Sequence, residues 1–345
     1  MVTADEARGV VRVLECEGGR GIAEHRAPAP LALAPATSAD GAAVVIATAA
    51  NGLERLELPE LAARARAAIG FAPTALAIGS GPDATVLAGG TGALLALDAV
   101  TLAPLRDYAP GPGARVSALL DVAARRRVTV AFGDRDELWE IAYDRDAPPV
   151  LQGYVHDYRS GEAVPLPGRL TPRVFRVPGP SAALFAGAAA AEIGRLDGDG
   201  GFGIVNLDVR REIERPALPR LDAARVAAWR DGDARGWIVA GQGAPAPWTL
   251  VAGRWRAEPA AAPRGTVEAL ASVASSPGGK DVVALVRDAN GAALWRIDPR
   301  GGPARRLPGP TVSDGAARLV ASIDGACVAL VDREGRWRAG WRAPR

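Results

Sequence analysis

The stretch Asp40-Gly41-Ala42-Ala43-Val44-Val45-Ile46-Ala47-Thr48-Ala49-Ala50-Asn51-Gly52-Leu53-Glu54-Arg55-Leu56 decides the fold. Two short apolar runs are bounded by Asp-Gly and joined through Asn-Gly. Both dipeptides accept the positive φ that a tight hairpin turn demands. The runs are too short for helices and rich in β-branched residues, so they read as paired strands.

The same unit recurs on either side. A first hairpin joins Val10–Leu14 to Gly21–Glu24, and the unit above is the second. Five more of these hairpins are Thr85–Ala88 with Ala93–Asp98, Val128–Phe132 with Leu138–Ile141, Ala183–Ala186 with Gly203–Asp208, Gly236–Ala240 with Trp248–Val251, and Asp281–Val286 with Ala293–Asp298. The eighth joins Ala326–Val331 to Gly335–Ala339. Landmark ends Leu56, Leu97 and Ile141 lie 41 and 44 residues apart, and Leu207, Leu250 and Ile297 lie 43 and 47 apart. That is the length of a four-stranded propeller blade, roughly 40–45 residues. The pattern predicts an all-β, eight-bladed β-propeller filling 1–345 as a single domain, with seven blades the alternative. The last blade lacks a fourth strand at Trp341, so the N- and C-terminal strands are expected to close the ring and hide its edges. Leu58–Ala68 has a helical composition, but its place in the repeat makes it a turn and an outer strand.

Composition narrows the function. Net charge is +2 with no basic block, which gives no electrostatic footprint for nucleic acid. No apolar run approaches the ~20 residues of a membrane span. The start, Met1-Val2-Thr3-Ala4-Asp5-Glu6, has neither a basic segment nor an apolar one, so nothing in it directs export. Cys16 and Cys327 are the only cysteines and form no Cys-x-x-Cys. They are read as two buried free thiols, with a disulfide as the alternative if ring closure brings the chain ends together. Asp197-Gly198-Asp199-Gly200-Gly201 lacks the ligands of a calcium loop and reads as a hairpin turn.

Between Ile141 and Leu207 the spacing grows to 66 residues. The excess holds Val155-His156-Asp157-Tyr158-Arg159-Ser160-Gly161-Glu162 and a proline-rich run from Pro165 to Pro180. An insertion of this kind leaves one face of a repeat ring, often the binding face. It carries one of only two histidines. A His can ligate iron or move a proton, and an Arg fork binds carboxylates. The plainer alternative is that His156 and Asp157 bond each other or the backbone and hold a long loop. His25 reads as a surface or strand-end histidine.

The segment Leu138–Asp144, followed by Pro148-Pro149-Val150, Gly153-Tyr154 and Val155–Glu162, resembles the heme d1 β-propeller family. That family includes the d1 domain of cytochrome cd1 nitrite reductase, and the likeness is greatest to its heme d1 biosynthesis members, NirF and NirN. It extends weakly through Asn206–Arg211 and Leu218-Pro219. The eight hairpins agree with that family's eight blades. The resemblance implies a protein that binds heme d1 or a precursor and assists its biosynthesis or its delivery for nitrite reduction. Partners would be the tetrapyrrole and other heme d1 maturation proteins or nitrite reductase. The cofactor-binding residues would be His156, Asp157, Tyr158, Arg159, Arg173 and Arg176, with His156 on the metal. The family setting is periplasmic; a chain complete as given would be cytoplasmic. Two family histidines have no counterpart. Leu31–Thr37, before Ser38-Ala39-Asp40-Gly41, contains none, and Pro219-Arg220-Leu221 stands where relatives carry Pro-His-Leu. The other functional reading is therefore a non-catalytic interaction or scaffold propeller that has lost its cofactor.

Overall fold

Antiparallel strands of two to eleven residues make up nearly all the secondary structure described by the computed structural model. Described are residues 1–345 except 17, 153–163, 242–245, 254, 256, 262–264, 277–278, 310, 313–317, 323–324 and 343–345. Their one helical element is the three-residue 3-10 turn Ala123–Arg125.

The strands form eight blades. Blades 2 to 7 have four strands each, over 36–68, 75–108, 116–176, 181–214, 221–259 and 266–306. Blade 1 has Val2–Asp5, Val10–Leu14 and Gly21–Arg26; blade 8 has Arg318–Ala321, Cys327–Val331 and Trp337–Arg342. From blade 2 to blade 8, first strands of successive blades contact one another, as strands around a common axis must. The last strands, such as Ala62–Ala68 and Pro104–Tyr108, are the exposed outer rim. The helical composition of Leu58–Ala68 is overridden here. Ala62–Ala68 ladders onto Gly52–Glu57, and pairing outweighs a per-residue helix preference of a few tenths of a kcal/mol.

Seven apolar clusters fill the seams between consecutive blades. Between blades 4 and 5, for example, Leu138 and Phe175 meet Ile193, Val205 and Leu207. The eighth seam, where blade 8 meets blade 1, is built differently. Cys16 and Cys327 are joined in a disulfide with Cα atoms 6.2 Å apart, which corrects the free-thiol reading. Ring closure is the reason, since it sets side by side two residues 311 positions apart. The Thr3 hydroxyl donates to the Gly335 carbonyl at 2.9 Å, Arg12 donates to the Glu334 carbonyl at 2.7 Å, and Arg318 pairs with Glu6 at 3.0 Å. The terminal strands thus close the ring through side chains, while each ladders within its own blade.

The fifth hairpin departs from its expected pairing. Glu192–Asp197 runs between Ser181–Ala186 and Phe202–Asn206 and pairs with both. Its charges disguise it in the sequence. Arg195 is fully buried, yet it is satisfied by Glu212 at 2.9 Å and by the carbonyls of Pro178, Gly179 and Pro180. The Asp197 turn is as expected, with Asp197 Oδ1 accepting from the Asp199 and Gly201 amides.

An antiparallel meander puts the first-to-second and third-to-fourth strand connections of every blade on one face. Two features rise from that face. One is the insertion between Ala142 and Pro172 in blade 4, which carries its own hairpin, Val150–Gln152 with Val164–Leu166. The other is the pair of long hairpins Leu221–Asp231/Ala234–Gly241 and Thr266–Ser276/Gly279–Asp288, which merge blades 6 and 7 into one sheet through Arg230 and Lys280.

Candidate functional site

The root of the blade 4 insertion is where charge collects. Pro172–Arg176 pairs with Glu137–Ala142, setting Arg173 opposite Glu140 and Arg176 opposite Glu137. Side chains alternate across a strand. Arg173 and Phe175 therefore turn toward blade 5, while Val174 and Arg176 turn away. Arg173 donates to the carbonyls of Pro148 and Pro149 at 3.0 and 3.3 Å. Arg176 is 87% exposed and has only Asp136, at 3.9 Å, as an ionic partner among the described residues. The two arginines expected to act together thus lie on opposite faces of one strand. His156, Asp157, Tyr158 and Arg159, including the expected metal ligand, lie outside the described residues.

Glu140 is fully buried and organises the cations around it. Arg210 Nε lies 3.3 Å from its carboxylate, Arg127 Nη1 at 3.5 Å and Arg125 Nε at 3.6 Å. Arg125 also reaches Asp208 at 2.6 Å. Two backbone positions make this possible. Arg126 adopts φ 51°, and its side chain leaves for Asp83 and Asp144, at 2.7 and 3.0 Å. Arg210, at φ 50° in the Leu207–Arg210 turn, brings a guanidinium across from blade 5. Four guanidiniums, those of Arg125, Arg127, Arg173 and Arg210, face two carboxylates. Arg173 is held below the usual guanidinium pKa, by burial first and then by repulsion from Arg127 and Arg210. Sequence reasoning missed Glu140, Arg125, Arg127 and Arg210. The run Arg125-Arg126-Arg127 was the available signal, but nothing in it says that alternate members converge on a carboxylate fifteen residues away.

Beside this group lies an open cleft of about 550 Å³ lined by Pro149, Val150, Leu151, Pro172, Arg173, Val174 and Arg210. Leu151 and Val174, 67% and 51% exposed, present apolar surface there.

Nearer the axis on the same face, Tyr143 donates its hydroxyl to Asp121 Oδ1 at 3.1 Å and weakly accepts the Ser80 amide at 3.5 Å. Asp121 sits near the end of the inner strand Val116–Val122. Burial pushes its carboxyl up to about 6, partly offset by the Tyr143 bond and reinforced by Asp40. The raised value makes the folded state bind the proton more tightly than the unfolded chain does. Its contribution is therefore fully present below about pH 4 and is lost as pH rises through about 6. Replacing Asp121 with Asn keeps an acceptor for Tyr143 and removes the charge. This variant is expected to gain about 1–2 kcal/mol over wild type above pH 6, after allowance for solvent screening, and nothing below pH 4. Urea unfolding at pH 4, 5, 6 and 7 measures it; parallel stability curves for the two proteins would assign the slope to another group.

His25 is the last but one residue of the strand Gly21–Arg26, as the strand-end reading expects, and is partly buried. Its Nε2 lies 2.9 Å from Glu54 Oε2 and links blade 1 to blade 2, where the Glu54 carboxylate also meets Arg66. Among the described residues no group of three or more His, Cys, Asp or Glu side chains converges as a metal site.

No family model matches the chain, and no curated protein matches it. Solved structures do. The dihydro-heme d1 dehydrogenase NirN, in complex with DHE, is 18% identical over 95% of this chain and 67% of its own, with a TM-score of 0.71. BamB from Moraxella catarrhalis is 15% identical over 98% of this chain and 91% of its own, with a TM-score of 0.61. The Neurospora crassa Pan2 WD40 domain is 11% identical over 90% of this chain and 88% of its own, with a TM-score of 0.55. At such identities the shared property is the fold: the chain is a β-propeller.

Proposed function

We propose that this protein binds heme d1 or a d1 precursor and assists the biosynthesis or delivery of that cofactor. The observation that carries the reading is the arginine group at the root of the blade 4 insertion. Heme d1 is rich in carboxylates, and guanidinium forks bind carboxylates through paired charge-assisted hydrogen bonds. Arg173 and Arg159 would hold the carboxylates, Tyr158 would cover the macrocycle, and His156 would stand at the iron, with Asp157 fixing its ring. The bound group would supply the redox-active iron; the chain's part is to hold and orient it. The likeness in fold to a protein solved with a heme d1 precursor supports the reading. The Cys16–Cys327 bond supports the periplasmic setting that the resemblance implies, since disulfides persist in oxidising compartments.

A second reading has its own support. The stretches Leu31–Thr37 and Pro219-Arg220-Leu221 lack histidine, and the fold is shared with propellers such as BamB and a WD40 domain. An interaction propeller without cofactor accounts for both.

Absorbance titration with heme d1 and heme b separates the two. Selective micromolar binding of heme d1, weakened at least tenfold in His156→Ala, is expected. Binding of neither heme leaves the interaction propeller as the better account.

A further inference from the structure

The cleft at the blade 4 rim combines two features. Leu151 and Val174 are two of the six large hydrophobic side chains left exposed. Arg173, between them and Glu140, has no carboxylate within ion-pair distance among the described residues, and Arg210 shares the single Glu140 carboxylate with Arg125 and Arg127. Exposed apolar surface costs free energy in water. Converging guanidiniums repel one another, and Arg127 and Arg210 add to the burial that holds Arg173 below the usual guanidinium pKa. Both costs are relieved by the same kind of molecule, one with an apolar body and an anionic end.

We infer that this cleft binds the carboxylate-bearing edge of an amphipathic organic anion. The carboxylate rests on Arg173 and Arg210, and the apolar body lies against Leu151, Pro149 and Pro172 and wraps the edge strand to reach Val174 on its other face. The identity of that anion as a tetrapyrrole rests on the reading above; the class of ligand does not. The site gives a role to Arg210, which comes from blade 5 and was not among the expected binding residues. The ligand would bridge two blades at the outer rim.

The test uses two probes and their esters. One is protoporphyrin IX with its dimethyl ester; the other is 1-pyrenebutyrate with its methyl ester. Each is titrated by fluorescence into the full chain, into Arg210→Gln and into Val174→Asp. The second variant changes an exposed rim residue, so a folding failure of the first does not end the test. Both free acids are expected to bind wild type, to bind at least tenfold more weakly to each variant, and to bind at least tenfold more tightly than their esters. If pyrenebutyrate behaves so and protoporphyrin does not bind, the cleft stands and the tetrapyrrole reading falls. If neither probe responds to the ester or to either variant, the cleft is overturned, even where protoporphyrin binds elsewhere on the protein.

Discussion

Glu140→Gln is expected to weaken the fold and strengthen anion binding at the same time. Glu140 is the one fully buried carboxylate facing Arg125, Arg127 and Arg210. Removing one partner of a buried ion pair costs about 3–5 kcal/mol, because the remaining charge loses its compensation. Here the arginines keep some access to solvent and Arg125 keeps Asp208, so the loss should sit near the low end, about 3 kcal/mol. The same change raises the net positive charge beside the cleft by one. A carboxylate ligand then restores what the mutation removed, and its affinity should rise several-fold. Guanidinium chloride unfolding and pyrenebutyrate titration measure the two effects. The double variant Glu140→Gln/Arg173→Gln should bind at least tenfold more weakly than Glu140→Gln, because it loses a direct partner of the carboxylate. If affinity falls together with stability, Glu140 shapes the cleft instead of opposing its charge, and excess guanidinium does not drive anion binding there.

The fold was legible because its signals are local. Asn51-Gly52 between Val44-Val45-Ile46 and Leu53-Glu54-Arg55-Leu56 announces a hairpin, and such hairpins at near-constant spacing announce a ring. Where the signal failed, a buried charge was responsible. Glu192–Asp197 reads as polar because the partner that allows Arg195 to be buried, Glu212, lies in another strand. The disulfide failed for a related reason. Two thiols near opposite ends of a chain carry no local mark of their proximity, which only ring closure creates. The insertion was found, through its spacing and its density of chemically capable side chains. The cations at its root were not. Arg125 and Arg127 come from a turn, Arg210 from the next blade and Glu140 from a strand interior, and they converge only once blades 4 and 5 have packed. Arg173 and Arg176 were both named as carboxylate partners, because closeness in sequence hides the alternation that puts them on opposite faces.

The seam between blades 8 and 1 should be the weak point of the ring once its disulfide is removed. Each of the other seams has a buried apolar cluster, such as Val11, Val44, Ile46 and Leu56 between blades 1 and 2. At the closing seam no apolar cluster spans the described residues; the Trp337 ring packs on Gly19, and the rest is polar, with Thr3 to Gly335, Arg12 to Glu334 and Arg318 to Glu6 among the contacts. Exposed ion pairs contribute at most about 1 kcal/mol each. The Cys16–Cys327 bond therefore carries much of the closure. It also ties residues 311 positions apart, which places the loss at the upper part of the usual range for a disulfide. The double variant Cys16→Ala/Cys327→Ala is expected to lose about 4–5 kcal/mol of unfolding free energy. Dithiothreitol should bring wild type down to the variant's stability and leave the variant unchanged. Hydrogen exchange locates the effect: amides of Val2–Asp5 and Cys327–Val331 should exchange at least tenfold faster in the variant, while those of Arg127–Phe132, on the inner side of blade 4, keep their protection. Uniform acceleration through all blades would mean that the ring opens as one unit, and the closing seam would then be no weaker than the other seven.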